Sequence, residues 1–280
     1  MRKVVLLLAF MMIVSSNLKA QNFQGQAIYQ TKVNVSIELD STKMGKQKAD
    51  EIKKMMQKHF EKKYVLDFNQ FESIYKEEEK LEQPGEGGGI RIMGMGNDIY
   101  YKNIKEKRYV NQTESMSKEF LIKDSLPKLN WELTKESKMI GDYLCFKATA
   151  IKQVRDHKRE FDEMDKQESS SEDMPKYFKD IEIEAWYTPE IPVNNGPSEY
   201  WGLPGLILEI HRDKTMQLCE KITLNPKDAK PIVEPNKGKE ISQESYDAIM
   251  EEKSKEMREM YRSNKSKRKK GEGFSITIGS

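Results

Sequence analysis

The residues in this sequence with the types best suited to chemistry are few and scattered. Histidine occurs three times, at His59, His157 and His211. None stands in an HExxH or HxH spacing that would bring two ligands to one metal. The two cysteines, Cys145 and Cys219, form no CxxC pair. In an oxidising compartment they make one candidate disulfide, but two cysteines are not a disulfide framework, and paired and free states both stay open. His211 faces Cys219 across a predicted hairpin turn, which supplies two ligands at best, so neither a metal site nor a cofactor is predicted. Glu182 and Glu184 lie two apart on a predicted strand beside Trp186, a spacing open to an acid–base pair; an exposed charged edge is the commoner use of that pattern.

The longer motifs are equally spare. The glycine-rich stretch EQPGEGGGIRIMGMGN has neither the lysine nor the spacing of a phosphate-binding loop. The acidic stretch DEMDKQESSSED lacks the ligand order and central glycine of an EF-hand. No GxSxG nucleophile turn occurs. No catalytic residue is assigned and a non-enzyme is expected; a triad assembled from distant residues is the minor alternative.

The informative stretch is VNNGPSEYWGLPGLILEI, residues 193–210. Asn194-Asn195-Gly196-Pro197 is turn chemistry, because asparagine bonds its own backbone, glycine accepts positive φ and proline presets its own. Leu203-Pro204-Gly205-Leu206 has the proline and glycine positions of a type II turn. Two turns so close together would hold Tyr200 and Trp201 on a short, stiff loop, where they are candidate interface or ligand contacts together with Trp186. Leu206, Ile207 and Leu208 then occupy both faces of a strand, which is therefore predicted to be covered on both sides.

The elements around this corner are read from periodicity. Residues 25–39 alternate apolar and polar and predict a long strand with one wet face. Residues 44–63 switch to steps of three and four (Ala49, Ile52, Met56, Phe60), predicting a helix inserted after the first strand. Further strands are predicted at 64–76, 98–103, 107–112, 118–123 and 130–134, with Gly141-Asp142 turning a hairpin into the strand that carries Leu144, Phe146 and Ala148. Residues 153–180 read as a polar, solvated insertion. Ile181, Ile183, Ala185 and Tyr187 then share one strand face. Residues 206–212 and 215–224 form a hairpin about Asp213-Lys214, in which Met216, Leu218, Ile222 and Leu224 share one parity and Cys219 the other. Ser242 is the predicted N-cap of a C-terminal amphipathic helix over 242–262, followed by a basic flexible tail, 263–280.

The fold class these elements predict is β-rich α+β. A curved, half-barrel-like antiparallel sheet spans residues 21–241 as a single domain, packed with the insertion helix and the C-terminal helix. Residues 1–20 (MRKVVLLLAFMMIVSSNLKA) carry two cations, an apolar run and small residues, the layout of a signal peptide, with cleavage after Ala20 or after Ser16. The expected destination is the periplasm or the cell exterior. The whole chain has 48 Lys and Arg against 46 Asp and Glu; without Arg2, Lys3 and Lys19 the basic count becomes 45. A near-neutral mature chain gives no reason to expect nucleic acid as a partner, and no second apolar stretch is long enough to span a membrane.

The segment GPSEYWGLPGLILEI resembles the signature of the GLPGLI family, secreted proteins of Gram-negative bacteria without an established biochemical activity. The match rests on Gly202, Leu203, Pro204, Gly205, Leu206 and Ile207. WELTKESKMIGDYLCFKATA, AWYTPEIPV, the signal peptide and the charged C-terminal helix accompany it, covering most of residues 21–262. The resemblance implies no catalytic residue. Two functional readings remain beside the minor enzymatic one: a binding module for an apolar ligand or lipid, and an interaction accessory of an outer-membrane or secreted complex.

Overall fold

The computed structural model of the protein describes residues 23–33, 47, 50, 61–78, 98–156, 158–160, 163 and 176–267. The predicted signal peptide, the glycine-rich loop, most of the 44–63 helix, the centre of the 153–180 insertion and residues 268–280 lie outside the described residues. Among the described residues there are twelve strands: β1 (Gln24–Val33), β2 (Lys62–Asn69), β3 (Glu72–Glu77), β4 (Ile99–Asn103), β5 (Arg108–Ser115) and β6 (Lys118–Ser125). They are followed by β7 (Glu132–Ile140), β8 (Tyr143–Arg155), β9 (Phe178–Thr188), β10 (Leu206–Arg212), β11 (Thr215–Leu224) and β12 (Lys239–Ile241). One helix, α1 (Gln243–Lys267), follows. All twelve strands join one open sheet in the order β12-β6-β5-β4-β3-β2-β1-β11-β10-β9-β8-β7. Every pairing is antiparallel except that of β12 with β6.

That sheet is not flat. Tyr109 on β5 and Lys152 on β8 line the same cavity, although they are eight strand spacings apart in the sheet order. In a flat sheet that separation would be roughly 38 Å at about 4.8 Å per spacing. The sheet therefore curls until its two halves face one another, in keeping with the predicted curvature.

Several predicted elements are redrawn by local hydrogen bonds. Residues 64–76 are two strands, not one. The Asn69 Oδ1 accepts bonds from the amides of Phe71 (2.8 Å) and Glu72 (2.7 Å), closing a turn inside what reads as continuous alternation. Lys62 and Lys63 begin β2, so the predicted helix cannot extend to 63. The first arm of the hairpin runs to Ile140, well beyond 134, and turns at Gly141-Asp142 as predicted. The excursion after β8 is shorter than 153–180, because Gln153, Val154 and Arg155 pair with Asp180, Lys179 and Phe178. On β11 the register skips Glu220 between the partners of Ile28 and Tyr29. This bulge brings Cys219 onto the face of Ile222, and the two join one apolar cluster, whereas uninterrupted parity separates them.

The helix starts as its cap requires: the Ser245 amide donates to Ser242 Oγ (3.2 Å) and the Tyr246 amide to Ser242 O (3.0 Å). It continues to Lys267, past the predicted end at 262. Its first turns dock, with Tyr246 edge-on to Phe120 at 5.5 Å and Ile249 in the same cluster, whereas Met257 and Met260 are exposed.

β10 is covered on both faces, as expected. Leu206 and Leu208 belong to one apolar cluster with Ala27, Tyr29 and Trp186, while Ile207 and Ile210 belong to a second with Ala148, Ile183 and Ala185. Burying each such aliphatic side chain contributes roughly 1.5–3 kcal/mol. The turn that feeds β10 is not a type II turn. The Gly205 amide donates to Leu203 O (2.8 Å) across Pro204, and the Leu206 amide is taken by Ile191 O (3.0 Å). Gly205 is required because the Thr188 backbone passes it: a Cβ there would lie 2.1 Å from Thr188 O. Gly205→Ala should therefore lower stability by about 3 kcal/mol or more. At Gly141, where φ is 57° but nothing lies within 4 Å of a Cβ, alanine should cost only about 1 kcal/mol. Urea unfolding midpoints of the two variants measure the difference; equal losses would contradict the close-packed corner.

Candidate functional site

The corner between β9 and β10 is built from backbone bonds that its own sequence makes available. The Val193 amide donates to Ile191 O and the Asn195 amide to Val193 O, both at 2.8 Å. The Ile207 amide donates to Asn195 O at 2.9 Å, tying the loop to the start of β10. Asn195 is fully buried, and its Oδ1 accepts from the Gly196 amide (2.9 Å) and from Ser73 Oγ on β3 (3.2 Å). Gly196 leaves no room for a side chain, since a Cβ would come within 2.8 Å of Ile207.

One side chain from the opposite half of the sheet holds this loop in place. Lys102 on β4 is fully buried, and its Nζ donates to Gly196 O (2.6 Å) and Tyr200 O (3.0 Å). Two carbonyls match the two N–H groups of a neutral amine. Burial pushes the Lys102 amine down from its ordinary 10.5 to about 7, with Glu199 pulling weakly the other way. Tyr29 adds a second tie, its hydroxyl donating to Ile207 O at 2.6 Å.

Beside the pinned loop lies a cavity of about 720 Å³, floored by β2–β5 and closed by Ser198 and Glu199 of the loop, with Lys152 and Gln217 from the facing strands. Strand register sets its tyrosines in a row: Tyr75 on β3 is directly opposite Tyr100 on β4, and Tyr100 is opposite Asn111 on β5. Tyr64 stacks on Tyr75 (centroids 5.0 Å, 9° between planes) and Tyr100 on Tyr109 (5.1 Å, 8°). Burial pushes the Tyr64 and Tyr109 phenols up to about 12, and those of Tyr75 and Tyr100 higher still. All four remain neutral in any physiological medium.

The polar lining combines carboxylates and amides with hydroxyls and the Lys152 ammonium. Asp98, Asp124 and Glu199 supply carboxylates, and Asn111, Gln217 and Gln243 supply amides. Glu199 is paired with Lys152 (2.9 Å) and Arg212 (3.7 Å). Asp124 is held low by the backbone amides of Ser125 and Gln243. Burial raises Asp98, against a hydrogen bond from Thr113. Gln217 Nε2 donates to the Tyr75 hydroxyl (3.3 Å). The Asp98 Oδ1, Asn111 Oδ1 and Gln217 Oε1 atoms are buried without any hydrogen-bond partner in the protein. The lining is thus poorly suited to the apolar ligand or lipid expected from sequence.

The residues singled out from sequence fall elsewhere. Tyr200 and Trp186 are buried, at 3% and 6% exposure, so neither forms the exposed anchor expected of an interface. The reason is packing: Tyr200 sits in the cluster with Leu203 and Ile207, and Trp186 lies under Lys138, whose Nζ is 4.2 Å from the ring centroid. Trp201 is half-buried, its indole N–H donating to Pro127 O (2.7 Å) while its own carbonyl accepts from Trp131 (2.9 Å). Within the signature, Gly202 has φ of 96°, Leu203, Leu206 and Ile207 are buried, and Pro204 is exposed.

Cys145 and Cys219 share one buried cluster and are free thiols, pushed by burial to about 11 and about 12. Glu184 bonds Lys147 (2.9 Å) and Trp186 (2.7 Å), and Glu182 is exposed, so the two do not act as a pair. His211 is bonded to Glu209 and lies opposite Met216, not Cys219. His59 and His157 lie outside the described residues. Among the described residues no three His, Cys, Asp or Glu side chains are grouped to hold a metal ion. No helix among them is long and apolar enough to cross a membrane.

Comparison with known proteins adds little chemistry. A family model described as a protein of unknown function (Porph_ging) matches residues 131–209, the span from Trp131 to Glu209 that contains the loop and the start of β10. No curated protein matches the chain. Two crystal structures of PNGF-II, in space groups C2 and P21, are similar at 14% identity with a TM-score of 0.46, over 81% of this chain and 32% of theirs. The chain thus spans about a third of the length of those proteins.

The Lys102 contact has a signature in pH. Between about pH 7 and 10 the unfolded chain holds a proton on Lys102 that the folded chain does not. Stability should therefore rise with pH across that window, by at most about 1.4 kcal/mol per unit from this group. Lys102→Met should remove that slope while lowering stability overall. Urea midpoints of both proteins between these limits check it; parallel pH profiles would contradict the assignment.

Proposed function

We propose that the protein is a non-catalytic binding module, exported to the cell envelope, that holds a small polar ligand in the tyrosine-lined cavity. The observation that carries this reading is the set of unpartnered buried oxygens on Asp98, Asn111 and Gln217. A buried acceptor without a donor costs roughly 1–3 kcal/mol. The same side chains line the cavity, and rotation about the terminal torsion of Asp, Asn or Gln is soft, so a donor bound there would need only a small side-chain turn to reach these oxygens. A ligand bearing O–H or N–H groups relieves that cost. The volume suits a small molecule, for which sites of ~300–1,000 Å³ are usual.

The same lining argues against a lipid. Hydrocarbon laid against Asp98, Asp124 and Glu199 would strip water from carboxylates and return no hydrogen bond. An interaction accessory has weaker support, because Tyr200 and Trp186 are buried. Export rests on the signal-like residues 1–20 and on the resemblance to the GLPGLI family. The non-catalytic reading rests on neutral tyrosines and on Glu199 and Asp124 being already paired with Lys152, Arg212 or backbone amides. This leaves Asp98 as a single lining carboxylate with no second uncommitted one to act with it.

The test is a thermal-shift comparison. An envelope extract is partitioned into aqueous and chloroform phases, and each is added to the purified protein and to Asn111→Phe, which puts a bulky ring among the lining residues and removes the Asn111 acceptor. The aqueous phase should raise the melting temperature of the parent only. Stabilisation by the chloroform phase alone, or an equal shift in the variant, would overturn the reading.

A further inference from the structure

We propose that the cavity takes a carbohydrate, its ring faces laid on the two tyrosine stacks and its hydroxyls bonded to Asp98, Asn111 and Gln217; this rests on the cavity being the binding site. The argument begins with the two kinds of surface that meet there. Tyr64 and Tyr75 form one parallel stack and Tyr100 and Tyr109 another, on neighbouring strands joined by the Tyr75–Tyr100 pairing. In each stack one ring, Tyr75 or Tyr109, is buried and its partner, Tyr64 or Tyr100, keeps partial exposure, so each stack presents the neutral aromatic surface of its more exposed member. A sugar ring is a matching object, with an apolar face of C–H groups and a rim of O–H donors, and weak C–H contacts to an aromatic face add to the burial of area.

The rim is met by acceptors. Ionised carboxylates accept only, and the free ends of Asn111 and Gln217 are their carbonyl oxygens. Hydroxyls are the donors that such a set recognises, and a site built to bond hydroxyls discriminates strongly against molecules that lack them.

Two other donor-bearing ligands fit less well. An amine cation would need uncommitted negative charge, yet Glu199 is bridged to Lys152 and Arg212 and Asp124 is bonded to two backbone amides. This leaves only Asp98, whose charge burial disfavours and Lys62 already attends. A phosphate-bearing nucleotide would meet three carboxylates and only Lys152 as a lining cation, the opposite of what phosphate requires. A neutral molecule with many hydroxyls satisfies the acceptors without either conflict.

The experiment uses the aqueous envelope phase as the probe, before and after chemical treatment. Periodate cleaves vicinal diols and dilute acid cleaves glycosidic bonds; loss of the thermal shift after either, with no loss after protease digestion, is the expected result. Survival of the shift through both treatments would overturn the carbohydrate assignment and leave the cavity reading standing. Absence of any shift from the untreated aqueous phase would remove both. In titrations with the neutral oligosaccharides cellotetraose, maltotetraose and chitotetraose, at least one should bind saturably. Gln217→Ala and Asn111→Ala should each weaken that binding about three- to tenfold, and Tyr100→Leu about tenfold, with urea midpoints of each variant confirming that it is folded. Saturable binding of spermidine with the same sensitivity to Gln217→Ala, and none of the sugars, would overturn the assignment in favour of a cation site.

Discussion

The contact on which the rest of the structure depends is the buried amine of Lys102. A lysine without solvent exposure is expensive, because its charged form loses hydration. It is tolerated here because two loop carbonyls, Gly196 O and Tyr200 O, meet its Nζ at 2.6 and 3.0 Å. The loop that presents those carbonyls is shaped by its own backbone bonds, from the Val193 amide to Ile191 O and from the Asn195 amide to Val193 O. Lys102 and the loop come from opposite halves of a curled sheet, and the contact joins them. Without it the tie from β4 would be lost, and Ser198 and Glu199 would be held over the tyrosines only by the ion pairs of Glu199 and the bonds at the two ends of the loop.

The glycines and the doubly buried strand serve the same closure. Gly205 lets the loop pass against the Thr188 backbone, and Gly196 lets it lie on Ile207. Leu206, Ile207, Leu208 and Ile210 then anchor β10 between two apolar clusters. A rigid strand on one side and a buried amine on the other leave the loop little freedom. The tyrosine row and the loop that covers it are thus preorganised, which lowers the entropy a ligand must forfeit on binding.

Much of the architecture was legible in the chain. Alternation along Ala27 and Tyr29 marks β1, Gly141-Asp142 marks the β7–β8 turn, and the apolar run Leu206–Leu208 marks a strand covered on both sides. What periodicity missed has local causes: Asn69 closes a turn inside an apparently continuous strand, and the skip at Glu220 reverses parity on β11. The cavity itself was not legible. Tyr64, Tyr75, Tyr100 and Tyr109 are spread over 46 positions of sequence, and only register and curl bring them together. Tyr200, Trp201 and Trp186 drew attention because they flank a turn-rich motif, but aromatic rings beside apolar strands usually fold into the core. Lys102 gave no sign at all, since a lysine in YYKN reads as a solvated strand end.

The most direct measurement is a ring-resolved spectrum of the protein with tyrosines labelled at the ε carbons, recorded after isolation from the cells that make it and again after unfolding, washing and refolding. If the tyrosine cavity is the site, resonances of Tyr64, Tyr75, Tyr100 and Tyr109 move between the two states, while Tyr101 and Tyr143, outside the cavity, stay in place. Shifts confined to rings outside the cavity, with those four unchanged, would contradict the account.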